Sequence, residues 1–424
     1  MPVGSRPEQR SRPEQGSQEP SPADAERLLA LARQSVEVIR ANQAPSGAYL
    51  ASPNFPVYRY CWLRDGAFIA DAMSRAGQIA SAEAFFGWCN RVLVTRRERV
   101  EALIARRRAG EAIDPTEFLP ARYTTEGEES GEAWTDFQLD GYGAWLWALD
   151  AHRRRYGRRI ADFLPGVAPS ADYIAAFWDH PSYDWWEEHP DHRHTSTLAA
   201  LYAGLAAVAR WPELSAASRD TYAAAANAIR AAIRSVARRL GHLPKWLGSD
   251  AVDASLIAIA TPFRLLAPDD AVVARTVRQI EAQLVHAGGV HRYTDDSYYG
   301  GGEWLLLAAL LGWHYAEVGR TADARVELAW VAAHATPDGE LPEQVPGHLL
   351  APEHFAEWER RWGPIATPLL WSHAMFLTLA LTLGAVPAGA LRARGVATGD
   401  PERGGGRGLS SPRGDDASEG QRSG

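Results

Sequence analysis

The chain has 424 residues, with 44 Lys and Arg against 52 Asp and Glu, a formal charge of −8. That balance argues against a nucleic-acid partner or an acidic membrane surface, and hydrophobic residues at 46% with charged residues at 23% exclude a largely disordered chain. Two cysteines, Cys61 and Cys89, are too few for a disulfide framework or a four-cysteine zinc site, and sixteen tryptophans are the compositional outlier.

Residues 1–20 are polar, repeat Ser-Arg-Pro-Glu-Gln at Ser5 and Ser11, and lack the apolar run of a secretory signal. A disordered N-terminal tail and a cytoplasmic protein are therefore expected. From residue 21 to 387 apolar residues recur at spacings of three and four, with almost no alternating stretches bounded by hairpin turns, so this body is helical. The first helix starts at a Ser21 cap followed by Pro22 and Asp24, and carries the stripe Leu28, Ala32, Val36, Ile39. Further helices are predicted over 65–76, 80–94, 135–152, 169–179, 195–210, 215–239, 253–260, 268–285, 303–318, 321–334 and 367–383. Gly77, Gly288, Gly319 and Gly384 follow predicted ends, where a left-handed cap is wanted. The longest apolar runs, 305–311 and 375–386, are too short to span a bilayer, and the Gly, Arg, Ser and Asp mixture of 388–424 reads as a disordered tail.

The connections alternate. Short links follow even-numbered helices, whereas odd-to-even links are long and carry the unusual residues. These are the segments around Tyr58 to Asp65, Trp134, Asp184 to His189, Pro244-Lys245-Trp246, Arg292 to Tyr299, and Leu341 to Gln344. Six helical hairpins joined this way put all six long links at one end, an all-α (α/α)6 toroid in a single domain over 21–387. The starts of the even helices then direct their free N–H groups toward that mouth. A linear helical repeat array is the alternative, but the segments share no fixed-period similarity.

Trp and Tyr beside carboxylates and Arg suit a carbohydrate, whose apolar faces stack on rings and whose hydroxyls take directional hydrogen bonds. Trp62, Trp134, Trp186 and Trp246, each beside a charged residue in a link, are candidates for that role. Trp145, Trp147, Trp304, Trp313 and Trp330, at helical positions, read as core. Glycoside hydrolysis needs two carboxyls in different protonation states, and Glu187, Glu188 and Glu343 lie in two separate links. A carboxyl among indoles is poorly solvated, which raises its pKa and favours an acid role. The run from Glu187 to His194 also reads as a solvated surface segment. Its side chains could ligate a metal, but Pro190 and the absence of a helical His-Glu-x-x-His pattern argue for no metal. Asp295-Asp296 lacks the longer acidic motif of a terpene cyclase, and Gly300-Gly301-Gly302 lacks the Lys-Ser/Thr ending of a nucleotide loop.

Four ordered segments resemble the glucoamylase-like glycoside hydrolases of family fifteen. Tyr58-Arg59-Tyr60-Cys61-Trp62-Leu63-Arg64-Asp65 is similar to the family's Tyr-x-Tyr-x-Trp-x-Arg-Asp, and Asp184-Trp185-Trp186-Glu187-Glu188 to its Asp-x-Trp-Glu-Glu. Arg292 through Trp304 resembles an Arg-Tyr-x-x-Asp-x-Tyr-Tyr link, and Leu341-Pro342-Glu343-Gln344 the segment of the general base. The resemblance implies that Glu187 is the proton donor and Glu343 the base that activates water, with inversion at the anomeric carbon. It also implies that Arg64 and Asp65 anchor the terminal glucose, that Tyr58 stands near Glu343, and that Glu188 and Asp184 support the acid and the second sugar. Trp62, Trp186, Arg292 and Tyr298 are expected at the substrate, and Trp134 as a wall. No cofactor follows, and the implied partner is a small oligosaccharide. Only about twenty polar residues precede the first helix, as in short bacterial members acting on isomaltose. Release of glucose from isomaltose or short α-1,6 oligosaccharides is therefore expected. Trehalose, maltose and malto-oligosaccharide hydrolysis, or a non-catalytic sugar-binding domain, stand as alternatives.

Overall fold

The computed structural model describes residues 21–392, apart from 132, 133, 135, 136, 159 and 160. The tail expected over 1–20, most of that over 388–424 and the start of the helix expected at 135 lie outside the described residues. At the N-terminal end Ser21 Oγ accepts the Asp24 N–H at 3.2 Å and opens α1 (Pro22–Ala41). The strand β1 (Cys61–Trp62) leads into α2 (Leu63–Arg75), followed by α3 (Ile79–Val94), α4 (Arg97–Arg108), β2 (Arg122–Tyr123), α5 (Asp140–Tyr156) and α6 (Leu164–Phe177). Then come α7 (Thr195–Val208), α8 (Ala216–Leu240), a 3₁₀ segment Ala254–Ile259, α9 (Ala271–Leu284) and the hairpin β3 (Val285–His286) and β4 (Gly289–Val290). The chain continues through β5 (Glu303–Trp304), α10 (Leu305–Glu317), α11 (Thr321–Ala333), β6 (Gln344–Val345), α12 (Phe355–Trp362) and α13 (Leu370–Thr382).

Helices α2, α5 and α7, the 3₁₀ segment, α10 and α13 pack side by side, and α13 returns to α2, closing an inner ring. The outer layer is α1, α3, α6, α8, α9 and α11, so the fold is the expected (α/α)6 toroid. Burial explains the sequence pattern of each layer. Residues 305–315 of α10 and 370–380 of α13 are all buried, because an inner helix meets protein on every side. The outer α8 buries only a stripe of Tyr222, Ala225, Ala226, Ile229, Ile233 and Ala237. Phe68 fills the ring axis, with ring centroids 5.2 Å from Trp371, 5.4 Å from Trp147, 5.8 Å from Trp185 and 5.9 Å from Phe263.

Several expectations are corrected. The segment expected as a helix over 253–260 is 3₁₀, started by Asp253 accepting the Ser255 N–H at 2.8 Å. Gly288 turns the β3–β4 hairpin instead of capping a helix, with Ala287 and Gly288 both at positive φ. Helix α6 begins before Pro169, and the Pro165 carbonyl that Pro169 cannot engage accepts Arg97 Nη2 at 2.6 Å. Ordered structure continues past 387, where Ala388–Leu391 forms a 3₁₀ turn that buries Leu391. Two helices, α4 and α12, lie inside long links where none was predicted. Among the described residues three short antiparallel ribbons stitch links together, including Trp62 opposite Arg122 and Trp304 opposite Gln344.

Helices α5 and α7 cross at glycine. A Cβ on Gly143 would lie 2.4 Å from the Ala200 carbonyl oxygen, and one on Gly204 would lie 2.6 Å from that of Gly143. Backbone cannot yield as a side-chain tip can, so Gly143→Ala should destabilise the fold by about 1–3 kcal/mol. Gly87→Ala, where only the end of Arg91 comes within 3.5 Å, should leave the melting temperature unchanged or slightly raised. Thermal denaturation followed by circular dichroism compares the two, and equal melting temperatures would contradict the packing argument.

Candidate active site

The inner helices start at one end of the ring, and their first turns carry the floor of a cavity of about 550 Å³. Arg64 and Asp65 stand in the first turn of α2, 6% and 7% exposed. The Arg64 guanidinium donates to Gln138 Oε1 at 2.7 Å and Asp140 Oδ2 at 3.1 Å, and its Nε lies 3.4 Å from Asp65 Oδ2. Trp371, from the first turn of α13, lies beneath it at 5.6 Å, with Trp185 beside Trp371 at 5.5 Å.

Glu187 sits on a tight turn between α6 and α7. Asp184 Oδ1 accepts the backbone N–H groups of Trp186 and Glu188, both at 2.9 Å, and Glu187 is bent to φ +65°. The left-handed region costs a non-glycine residue about 1–2 kcal/mol, which these bonds offset. Trp62 Nε1 donates to Glu187 Oε1 at 2.5 Å, Trp134 Nε1 to Oε2 at 2.7 Å, and Arg64 Nη2 stands 3.9 Å from Oε1. Asp184 itself does not line the cavity. It is buried behind the turn, 3.8 Å from Lys245 Nζ, so its expected contact with the substrate is corrected to a positioning role. Trp186 lines the cavity and is anchored by Nε1 to Asp253 Oδ2 at 2.9 Å, which Lys245 Nζ also approaches at 3.2 Å. Trp246 stands away from the cavity, stacked on His192 at 4.4 Å.

Glu343 comes from the last long link. Its N–H donates to the Ala366 carbonyl at 2.9 Å and its carbonyl accepts the Leu305 N–H at 3.3 Å, while the Leu341 N–H donates to His373 Nε2 at 3.0 Å. Nearby, the hydroxyls of Tyr58 and Tyr298 share a hydrogen bond at 2.9 Å. Arg292 is held by Asp296 through Nε at 2.7 Å and Nη2 at 2.5 Å, and reaches Glu188 Oε1 at 3.4 Å. Tyr293 donates its hydroxyl to the other Glu188 oxygen.

Burial raises both Glu187 and Glu343. For Glu187 the Arg64 charge and the donors around it work against burial. Burial pushes Glu343 up to about 8, with Arg292 and the Tyr58 and Tyr298 hydroxyls opposing it. Burial likewise lifts Asp65 to about 6 against the pull of Arg64, and Asp184 to about 7 against Lys245. Among the described residues six buried polar atoms of the lining have no hydrogen-bond partner: Arg64 Nε, Asp65 Oδ2, Glu343 Oε2, and the indole nitrogens of Trp185, Trp304 and Trp371. Of the residues expected at the substrate, Tyr58, Trp62, Arg64, Asp65, Trp134, Trp186, Glu187, Glu188, Arg292, Tyr298 and Glu343 all line it. Trp304, expected in the core, lines it as well, as do Trp185, Trp371 and three residues of α12, Trp358, Arg361 and Trp362. The missed helix carried a signal in Phe355, Trp358 and Trp362, one aromatic stripe at helical spacing.

A family model described as glycosyl hydrolases family 15 matches residues 26–329. The isomaltose glucohydrolase of Kribbella flavida is 49% identical over 366 residues, 85% of this chain and 94% of that protein. A solved glycosidase variant in complex with glucose has a TM-score of 0.85 and 47% identity, covering 87% of this chain and 100% of that one. A bacterial glucoamylase complexed with acarbose has a TM-score of 0.66 at 20% identity, covering 87% of this chain and 58% of that one, a likeness of fold alone. In the ligand-free protein the Glu343 carboxyl should titrate near 8, and Tyr58→Phe should raise it further by removing a hydroxyl that favours the ionised form. Isotope-edited carboxyl spectra against pH measure this, and an ordinary glutamate titration in both proteins would contradict the electrostatic account.

Proposed function

The chain belongs to glycosyl hydrolases family 15, and on that premise we propose an inverting, exo-acting enzyme that releases β-glucose from the non-reducing end of isomaltose or short α-1,6-linked gluco-oligosaccharides. The observation that carries this reading is the pairing of two buried, upward-shifted carboxyls from separate links in one cavity lined by tryptophans and by Arg64, Asp65 and Arg292. A polyhydroxylated ligand forms hydrogen bonds with the charged and polar side chains of the lining, and the tryptophans supply faces for its C–H surfaces.

In this proposal the terminal glucose rests at the buried floor, with Arg64 and Asp65 on its hydroxyls. Glu187, oriented by the indoles of Trp62 and Trp134, protonates the glycosidic oxygen as the bond to the anomeric carbon breaks. Glu343 takes a proton from a water that attacks the opposite face, which needs a carboxyl separation of about 6.5–9.5 Å. Arg292 and Glu188 stand on the side of the second sugar. The floor is buried and the α12 rim at Arg361 is exposed, which supports removal of one sugar from a chain end. The Kribbella relative's activity supports the α-1,6 linkage. Among the described residues no helix is long and apolar enough to cross a membrane, and the two cysteines are unpaired and buried, in keeping with a cytoplasmic place of action.

Activity requires Glu343 ionised and Glu187 protonated, so kcat/KM rises with pH as the first loses its proton and falls as the second does, with apparent values that belong to the pair. Because the Tyr58 hydroxyl lowers the Glu343 value, Tyr58→Phe should move the acidic limb to higher pH. Glu187→Gln and Glu343→Gln should each reduce kcat by roughly 10³-fold or more with the melting curve preserved. Proton NMR of early turnover of isomaltose, maltose, nigerose and trehalose reads linkage and stereochemistry together. β-Glucose appearing first from isomaltose is the expected result, and initial α-glucose would refute the assigned roles.

A further inference from the structure

We propose that His286, Glu303 and His348 form a site for one divalent transition-metal ion of the zinc class, on the face of β5 opposite the cavity. Successive strand residues point to opposite faces, and in β5 Trp304 lines the cavity while Glu303 does not. On that other face the side chains of three separate segments converge. His348 Nδ1 lies 3.1 Å and His286 Nδ1 3.8 Å from the same Glu303 oxygen, and one ligand atom from each residue falls within a 4.8 Å group. A tetrahedral ion with bonds of about 2.0–2.2 Å places neighbouring ligand atoms about 3.2–3.6 Å apart, so small side-chain rotations complete the set.

Charge favours an ion over a simple polar cluster. Glu303 is 2% exposed, and among the described residues its ion-pair partners are these two histidines, with no Arg or Lys. A buried carboxylate is costly unless it is paired, hydrogen-bonded or bound to a metal. The two imidazole rings stand 3.6 Å apart, a separation at which two imidazolium charges repel, whereas a divalent ion satisfies the carboxylate and both neutral rings at once. Space has been kept for the carboxylate. A Cβ on Gly289 would lie 2.2 Å from Glu303 Oε1, and one on Gly347 would lie 3.2 Å from Oε2. The histidine side chains are 55% and 49% exposed, leaving an entry path and open positions for water. The histidine-rich turn weighed from the sequence is engaged otherwise, with His192 stacked on Trp246 and His194 Nε2 on the His189 carbonyl at 2.9 Å.

The ion would tie the β3–β4 hairpin to β5 and to the segment after β6, and β6 begins one residue after Glu343. Occupancy therefore braces the strap behind that carboxyl, independently of which sugar the cavity takes. The test uses full-length protein stripped with EDTA and titrated with Zn²⁺, by calorimetry against a competing chelator and by thermal denaturation. Wild type should bind one Zn²⁺ per chain, with a melting temperature raised by about 3 °C at a hundredfold excess over Kd. Bound Co²⁺ should give the visible bands of a low-symmetry tetrahedral site. His286→Ala and His348→Ala, at exposed positions, should keep the metal-free melting temperature, lose the Zn²⁺-induced rise and weaken binding about 100-fold. Glu303→Gln should weaken binding likewise. No Zn²⁺ bound by wild type, or equal binding by wild type and the doubly substituted His286→Ala, His348→Ala chain, overturns the proposal.

Discussion

The site is organised by one buried cation. Arg64 has no solvent to neutralise it, so its guanidinium must be surrounded by acceptors, and these come from across the ring: Asp65 on its own helix, Gln138 and Asp140 at the start of α5, and Glu187 from the turn before α7. Taking one partner from such a group leaves an uncompensated charge, at a cost of about 3–5 kcal/mol. The arrangement fixes the relative placement of three links more tightly than apolar packing would, because hydrogen bonds are directional and Phe68 and its ring of aromatics are not. Asp65 pays part of this constraint by standing near other carboxylates, and burial leaves it with a raised affinity for protons.

The closed ring explains why long links could become chemical without costing the fold. Each inner helix is buried on all sides, so its stability is settled by neighbours before any residue of the mouth is chosen. The short ribbons then position individual link residues: Trp62 leaves β1 at the entrance to α2, and Trp304 leaves β5 at the entrance to α10, opposite Gln344. In both cases a strand of two residues presents one indole to the cavity just before an inner helix begins.

Much of this was legible in the sequence because two periodicities were independent. The three-and-four spacing located the inner and outer helices, and the alternation of short and long links placed six aromatic and charged segments at one end. The site residues followed where a long link carried a compact, ordered run of aromatic and charged residues, as with Arg64, Asp65, Glu187 and Glu343. What escaped had a physical reason in each case. Helix α4 is dominated by arginine and buries only Val100, Leu103 and Ile104, so its apolar stripe is faint. Helix α12 buries no residue fully, since its aromatic face meets Tyr298 and Tyr299 at the rim instead of the core. Trp304 is the first residue of an apolar run and is indistinguishable from core until the strand turns it inward. Asp184 reads as a ligand for sugar, but it is buried behind the turn, with Oδ1 on two backbone N–H groups and Oδ2 toward Lys245.

The difference between the two carboxyls lies in how each is held. Glu187 has an indole N–H on each oxygen and a backbone bent to φ +65°, so its side chain is pinned and its plane is set by Trp62 and Trp134. In the proposed role that plane aims the carboxyl at the leaving oxygen; the indole donors favour its charged form, and burial is what opposes them. Glu343 is fixed through its backbone, between Ala366 and Leu305, and its buried Oε2 has no hydrogen-bond partner among the described residues. In the proposed role that carboxyl accepts the proton of the attacking water. Burial raises both, so burial alone does not divide the roles; Arg292 and the paired tyrosine hydroxyls favour the charged form of Glu343, and the sugar that displaces solvent strengthens those interactions. The proposed assignment of acid and base therefore rests on how each carboxyl is held, Glu187 through its side chain and Glu343 through its backbone, with pKa following from what surrounds each.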